Sequence, residues 1–415
     1  MESGQIGSEG GAHDLLLIVL RGPVAAMYSG QLVFAQIMEC VPHWEFQRLV
    51  RRYGQASARL KFSPWEHLLA MCFAQLTFRE SLRDIVACLG HRSALAYHLG
   101  FRSRVNRSTL SYANEHRDWR LFAALAQRLM QRARKLYEDE PGILDLAAKV
   151  YALDASVIDL SLALCPWANW TGTDAAVKLH TLLDLRGPLP AFVAVTAAEQ
   201  GEVTLLDELP IEAGSYYIMD RGYVDLRRLR RLSDAGAFFV IRERSGFRYY
   251  VASSRPVDRA TPLRCDQTIR FNGWDSRRFW TGPLRRVGVF DAARSRRLAF
   301  WTNQWTLPAA TVAALYRQRW QVELFFRWIK QNLRMRVFYG TTPNAVRIQV
   351  WTALCAYLAV AIARKRLGLT ESLTTILQII SVNVFQKVPL AELFTTSAPE
   401  SLSTHDRNQL IFKDF

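Results

Sequence analysis

The sequence predicts a mixed α/β fold preceded by an all-helical domain, and three observations predict it. From Val33 to about Asp145 apolar residues recur at three- and four-residue spacing, the period of amphipathic helices. Beyond Asp145 the period shortens to that of strands, in runs punctuated by turn residues. A long helical pattern then opens at Pro308, so strands come first and a covering helix follows. Half of the 415 residues are apolar and 12% are aromatic, enough to bury a substantial core.

In chain order, residues 1–27 are Gly-rich and patternless apart from the apolar run Leu15 to Leu20, and read as a disordered leader or a misassigned start. Residues 28–146 form the helical domain. Ser63 supplies an N-cap, Pro64 the first helical position, and Trp65, Leu68, Leu69 and Cys72 one apolar face. Glu138 to Gly142 ends the last of these helices and marks a linker. Residues 147–370 hold the α/β domain. Its strands are Lys149 to Leu153, Val177 to Leu183, Leu189 to Val195, Tyr216 to Met219 and Ala237 to Arg242, with a basic helix from Val224 to Ala235. Residues 245–296 are rich in Arg, aromatic and β-branched residues and predict a β-rich insertion. Leu298 to Trp301 returns to the core pattern, and the helix from Pro308 reaches about Met335. Residues 371–415 form a C-terminal helical segment, whose stretch Leu373 to Phe394 suits a protein contact or core packing equally.

Fifty-three Lys and Arg against 37 Asp and Glu leave a net charge of +16. Arg227, Arg228, Arg230 and Arg231 cluster, as do Arg277, Arg278, Arg285 and Arg286, and guanidinium matches phosphate oxygens two at a time. The natural partner is a nucleic acid rather than a membrane. Six dispersed cysteines show neither a disulfide framework nor a zinc spacing, which fits a reducing cytoplasm. Ile348 to Ala363 is shorter than a bilayer span and carries Gln349. No phosphate-binding GxxxxGK[ST] loop occurs, so no nucleotide cofactor is implied.

Three carboxylates carry the chemistry. Asp154 ends one strand and Asp220 another, although the turn Arg221-Gly222-Tyr223 behind Asp220 also suits a simple helix cap. Glu323 lies in the long helix, where a pair with Arg319 or Arg327 worth about a few tenths of a kcal/mol is the simpler explanation. The helical wheel favours more. At 100° per residue Tyr316, Arg319, Glu323 and Lys330 fall at about 0°, −60°, −20° and −40°, one narrow polar stripe. An acid, two cations and a phenol facing one way suit a phosphate and metal site. Asp159 falls on the opposite strand face from Asp154, Asp184 begins a Gly-Pro turn, and His180 reads as structural.

The spacing Tyr316-x2-Arg319-x3-Glu323-x6-Lys330 resembles the Tyr-Arg-Glu-Lys signature of DDE transposases of bacterial insertion sequences, specifically the insertion-sequence-four family. Asp220-Arg221-Gly222-Tyr223 resembles that family's second-aspartate motif and Asp154-Ala155-Ser156 its first. Lys178 to Asp184 and Trp320 to Phe326 are also similar, and the likeness covers about residues 30 to 390. The resemblance implies a ribonuclease-H-like catalytic core interrupted by the β-rich insertion. It implies that Asp154, Asp220 and Glu323 hold divalent metal, two Mg²⁺ ions per site with Mn²⁺ as a substitute. It implies that Tyr316 and Arg319 contact DNA phosphates near the cut and that Lys330 steadies the transposon end. Some members stack a Trp on a flipped base; the equivalent position here is Leu298, and Trp280 and Trp301 nearby read as core residues.

The helical domain resembles a helix-turn-helix arrangement, with one helix from Ser81 to Leu89, a break at Gly90, and a later helix opening at Ser108 or Thr109. Arg107, Ser108, Ser111, Asn114 and Arg117 then fall on turns that would face DNA. The function expected is cut-and-paste transposition. Double-stranded DNA is bound at the terminal inverted repeats, two copies pair the ends, and metal-dependent cleavage and strand transfer follow, in the bacterial cytoplasm and on the nucleoid. A catalytically silent repeat-binding protein and a structure-specific nuclease on the same core are the alternatives.

Overall fold

The computed structural model describes residues 30–55, 61–91, 93–168, 175–258, 260–332 and 338–395. The leader expected over 1–27, and the end of the long helix expected at Met335, fall outside these. The N-terminal part is helical: α1 (Val33–Met38), α2 (His43–Arg52), α3 (Pro64–Leu76), α4 (Leu82–His91), α5 (Ser93–Ala96), α6 (Arg107–His116) and α7 (Arg120–Leu136). The start of α3 is a capping box. Glu66 N–H donates to Ser63 Oγ at 3.2 Å, and Ser63 N–H donates back to Glu66 Oε2 at 2.8 Å, so two otherwise orphaned donors are satisfied.

The strands β1 (Val150–Leu160), β2 (Ala175–Asp184), β3 (Leu189–Ala197) and β4 (Tyr216–Met219) precede α8 (Leu226–Asp234) and β5 (Phe238–Arg242). Next come β6 (Tyr249–Arg255), β7 (Leu263–Phe271), the short α9 (Trp274–Phe279), β8 (Leu284–Asp291) and β9 (Arg296–Thr302). All nine join one sheet, in the order β3-β2-β1-β4-β5-β9-β8-β7-β6. β1, β4 and β5 run parallel, while β2 and β3 are antiparallel to their neighbours. The β-rich stretch expected over 245–296 therefore extends the central sheet, joined to it by β9 against β5. Trp280 and Trp301 are core residues, 5% and 0% exposed.

Four further helices follow: α10 (Ala309–Arg317), α11 (Trp320–Asn332), α12 (Pro343–Arg366) and α13 (Leu373–Asn383). The single helix expected from Pro308 is thus two. At the joint Arg319 N–H donates to Tyr316 O, Gln321 N–H to Gln318 O and Val322 N–H to Arg319 O, three-residue bonds that tighten the backbone between the segments.

The core explains how the layers are held. α12 is long and apolar enough to cross a membrane, but 94% of its apolar window is buried inside the protein. It packs against α3, α6 and α7. Gln349, the polar residue that interrupts its apolar run, is 1% exposed and accepts from Tyr339 N–H at 2.8 Å. Tyr137 Oη of the N-terminal part donates to Ala361 O, and Asn344 Nδ2 donates to Asn114 O and Arg117 O. Helices before the sheet and a helix after it share one apolar core running from Leu32 to Leu390.

Candidate active site

Strand register brings the two aspartates together. Parallel β1 and β4 pair residue by residue as far as Leu153 opposite Met219. Asp154 and Asp220 are each the next residue, so they stand side by side on adjacent strands, whose spacing is about 4.8 Å. β4 stops there, and Asp220 becomes the cap of a short 3-10 turn, Arg221–Tyr223, accepting from Arg221 N–H at 2.6 Å. Capping does not exhaust the carboxylate, since Tyr316 Oη donates to the same Asp220 oxygen at 3.4 Å.

Alternation along β1 decides which face Asp154 presents. Ala152 and Ile158 belong to the core shared with α11 and α12, while Tyr151 and Leu153 belong to the core against α8. Asp154 therefore faces α11. There Arg319 Nη1 donates to Asp154 Oδ2 at 2.8 Å, and Arg319 Nη2 donates to Glu323 Oε1. Asp154, Glu323, Arg327 and Lys330 line a common cleft of about 310 Å³. The break before α11 does not scatter the stripe: Tyr316 reaches Asp220, Arg319 reaches Asp154, and Glu323 joins them through Arg319.

The electrostatics are those of a crowded acidic site partly withdrawn from water. Burial pushes the Asp154 carboxyl up to about 6, against the opposing pull of Arg319 and the Ala155 N–H, with Glu323 and Glu202 adding repulsion. Burial alone would lower Arg319, but Asp154, Tyr316 and Glu323 together hold it above the usual arginine range. Tyr316 is pushed up to about 12 by burial and then by Asp220. Sequence reasoning missed Glu202. Its Oε2 lies 3.2 Å from where a β-carbon on Gly222 would stand, so the bare glycine leaves room for this fourth carboxylate. The Tyr223 hydroxyl is wholly buried with no hydrogen-bond partner among the described residues, in the field of Glu202, Asp154 and Asp220. Only contacts across the fold identify Glu202, which follows β3 in an unremarkable Gly-Glu-Val stretch.

Chemically the set suits a hard divalent cation: carboxylate oxygens from a strand, a strand end and a helix. Among the described residues no group of three lies close enough to grip an ion, because the Arg319 guanidinium sits between Asp154 and Glu323. The positive group in that position is itself the sign that the carboxylates need a counter-charge.

The N-terminal residues divide. Arg107 and Ser108 are exposed at the start of α6. Asn114 does not face outward: it is 1% exposed and its Oδ1 lies 2.7 Å from His67 Nε2, so its side chain belongs to the core. Arg117 is likewise buried, donating to the carbonyls of Ser63 and Phe62. α4 continues through Gly90 to His91, and α5 and a turn through Gly100 at φ 94° separate it from α6. That is a longer connection than a helix-turn-helix uses.

The arginine clusters also resolve. Arg228 and Arg231 pair with Asp207, and Arg230 with Asp234. Arg285, 2% exposed, grips Asp266 with two bonds of 2.8 Å, and Arg286 pairs with Glu243 at 2.9 Å. His180, on the opposite face from Asp154, is buried with Nε2 2.9 Å from Thr196 Oγ1, the structural role expected of it.

Comparison with known proteins agrees with this geometry. The family described as Transposase DDE domain matches residues 146–359, and a domain family of unknown function matches residues 29–102. A protein of Sinorhizobium fredii named as a transposase is 31% identical over 250 residues, covering 59% of this chain and 69% of that one. A protein of Geobacillus stearothermophilus named as the transposase for insertion sequence element IS5377 is 31% identical over 50% of this chain and 54% of its own. The Escherichia coli transposase for insertion sequence element IS4 is 26% identical, over 44% of this chain and 42% of its own. The DDE domain accounts for β1 through most of α12, the span that contains both aspartates and the glutamate, and the chain belongs to the DDE transposase family as a DNA transposase of an insertion sequence.

Proposed function

We propose that the enzyme binds the terminal inverted repeats of its element and catalyses metal-dependent cleavage and strand transfer, moving the element by cut-and-paste. The observation that carries the reading is the β1–β4 register, which sets Asp154 beside Asp220, with Arg319 joining Asp154 to Glu323. The strand order β3-β2-β1-β4-β5, with three parallel strands and two antiparallel, supports a ribonuclease-H-like core. A DDE domain works with divalent metal. In this reading Asp154, Asp220 and Glu323 hold two Mg²⁺ ions, for which Mn²⁺ can substitute. Metal held there would supply the charge that lowers the barrier to in-line attack at phosphorus by water and then by the freed 3′-hydroxyl.

The chain's own residues do the rest. Tyr316 orients the Asp220 carboxylate through its hydroxyl. Arg319, whose fork bridges Asp154 and Glu323, would contact a phosphate near the cut. Lys330, in the cleft with Asp154 and Glu323, steadies the transposon end. Residues 28–146 act as the end-binding part, with the exposed Arg102, Arg104 and Arg107 and the hydroxyl of Ser108 on phosphates. Two copies pair the ends, with α13 (Leu373–Asn383) available to the contact.

The test is cleavage of a duplex carrying the element's end, in Mg²⁺. Asp220→Asn should bind that duplex as the wild type does and cut it at least about 10³-fold more slowly, the scale on which losing transition-state charge stabilisation acts. Wild-type cleavage by Asp220→Asn removes Asp220 from the site. End binding without cleavage by the wild-type protein, in Mg²⁺ and in Mn²⁺, removes the catalytic reading.

A further inference from the structure

The clusters of arginine in the sequence are mostly neutralised, but one face of the sheet is not. β5 to β9 carry an open cleft of about 1020 Å³, into which Arg221, Arg242, Arg244, Arg264 and Arg297 project. Glu243 is its one acidic lining residue and is already paired with Arg286. Arg244, Arg264 and Arg297 are exposed, and among the described residues none of the three has a carboxylate within ion-pair distance. Three guanidiniums without a carboxylate partner on one concave face, of which Arg264 also donates to the Thr261 and Leu263 carbonyls, form a strongly positive surface, the footprint of a phosphate backbone rather than of an acidic side chain or two.

The cleft also has a direction. One end lies toward the active site: Arg221, which lines the cleft, follows Asp220 in the chain. The sheet order fixes the rest. β3, at one edge, packs against α7 of the N-terminal helices, the aspartates stand on β1 and β4 in the middle, and the cleft occupies the strands beyond. In that order the cleft lies on the side of the aspartates away from the N-terminal helices, where a duplex continuing past the carboxylates would run.

We propose that the cleft binds the phosphate backbone of the flanking donor DNA, the duplex that continues beyond the element's terminal base. This rests on the transposase reading above. The cleft wall contains a built-in reporter in half-buried Cys265, whose thiol accepts from Arg286 Nη1 at 3.1 Å.

Two duplexes separate this idea from its foundation: one ends at the terminal base of the element, and the other continues into flanking sequence. The wild-type protein should bind the flanked duplex more tightly, and that duplex should slow alkylation of Cys265. In Arg244→Ala/Arg264→Ala/Arg297→Ala the advantage of the flanked duplex should disappear. The slope of log affinity against log salt for that duplex should become shallower by about 2–3, roughly 0.9 for each phosphate that the protein no longer neutralises. A second arm offers an unrelated target duplex to protein loaded with a pre-cut end. A deficit in the first arm supports the proposal, and a deficit in the second arm alone overturns it by assigning the cleft to target DNA instead. Equal binding of the two duplexes by the wild type, or an unchanged salt slope and unprotected Cys265 in both arms, overturns the proposal. Failure of the wild type to bind or cut even the shorter duplex is instead a failure of the transposase reading.

Discussion

Arg319 stands where a cation is needed, and its removal should make metal binding stronger while abolishing catalysis. In the metal-free protein the guanidinium donates to Asp154 and to Glu323, and its side chain is only 18% exposed. Charge-assisted hydrogen bonds of this kind contribute about 1.5–3 kcal/mol each. Deleting one partner of a buried ion pair costs about 3–5 kcal/mol, and the partial opening to solvent reduces this to about 2–4. Arg319→Ala should therefore lower the metal-free Tm by on the order of 5 °C. Asp154, already pushed up to about 6 with Arg319 present, should rise further. Mg²⁺ binding no longer has to displace the guanidinium, so the variant should bind the ion ~10- to 100-fold more tightly, since each 1.4 kcal/mol is worth about a factor of ten. The assay is a thermal melt and a calorimetric Mg²⁺ titration of both proteins, with end-cleavage measured alongside. Arg319→Lys should restore part of the stability and little of the activity, because an ammonium cannot make the two-pronged contact. An equal Mg²⁺ affinity in wild type and Arg319→Ala would refute the reasoning, since it would mean that guanidinium and metal do not compete for one place.

Two other predictions concern the scaffold. His67 is fully buried beside Asn114, and burial, helped by Arg117, depresses its imidazole to about 3. Its folded value lies below the unfolded one, so the contribution is complete above about pH 6.5 and is lost as pH falls; denaturant melts should show about 2 kcal/mol less stability at pH 5 than at pH 7 from this group, absent in His67→Gln. Arg285→Ala should destabilise by about 2–4 kcal/mol by leaving buried Asp266 only its longer pair with Arg255 at 3.4 Å, whereas exposed Arg297→Ala should stay within about 0.5 kcal/mol; similar losses in the two would refute the division of the arginines into structural and phosphate-facing sets.

The contrast between Glu323 and Asn114 shows what a sequence can say about a site. Helical periodicity places both, and the arithmetic of 100° per residue is sound for each as a local statement. It holds at Tyr316, Arg319 and Glu323 because the break at Gln318 is bridged by three-residue hydrogen bonds, which keep the two segments nearly in phase. At α6 the same arithmetic is silent on which face the rest of the protein covers. That face is set by α12, more than 200 residues later, whose Asn344 caps the carbonyls of Asn114 and Arg117. Position along a strand is equally local, and so Asp220 is legible as a strand end, whereas Asp154, expected to end its strand, lies inside β1, which pairs with β2 as far as Leu160. Their adjacency depends on a parallel register that no local pattern encodes. Charge fails in the same way: Arg285 and Arg286 are neighbours in sequence, yet alternation along β8 sends one to buried Asp266 and the other to Glu243 in the open cleft. What a residue type offers is chemistry, and the partner that uses it, whether a carboxylate, a phosphate or a metal, is chosen by long-range packing.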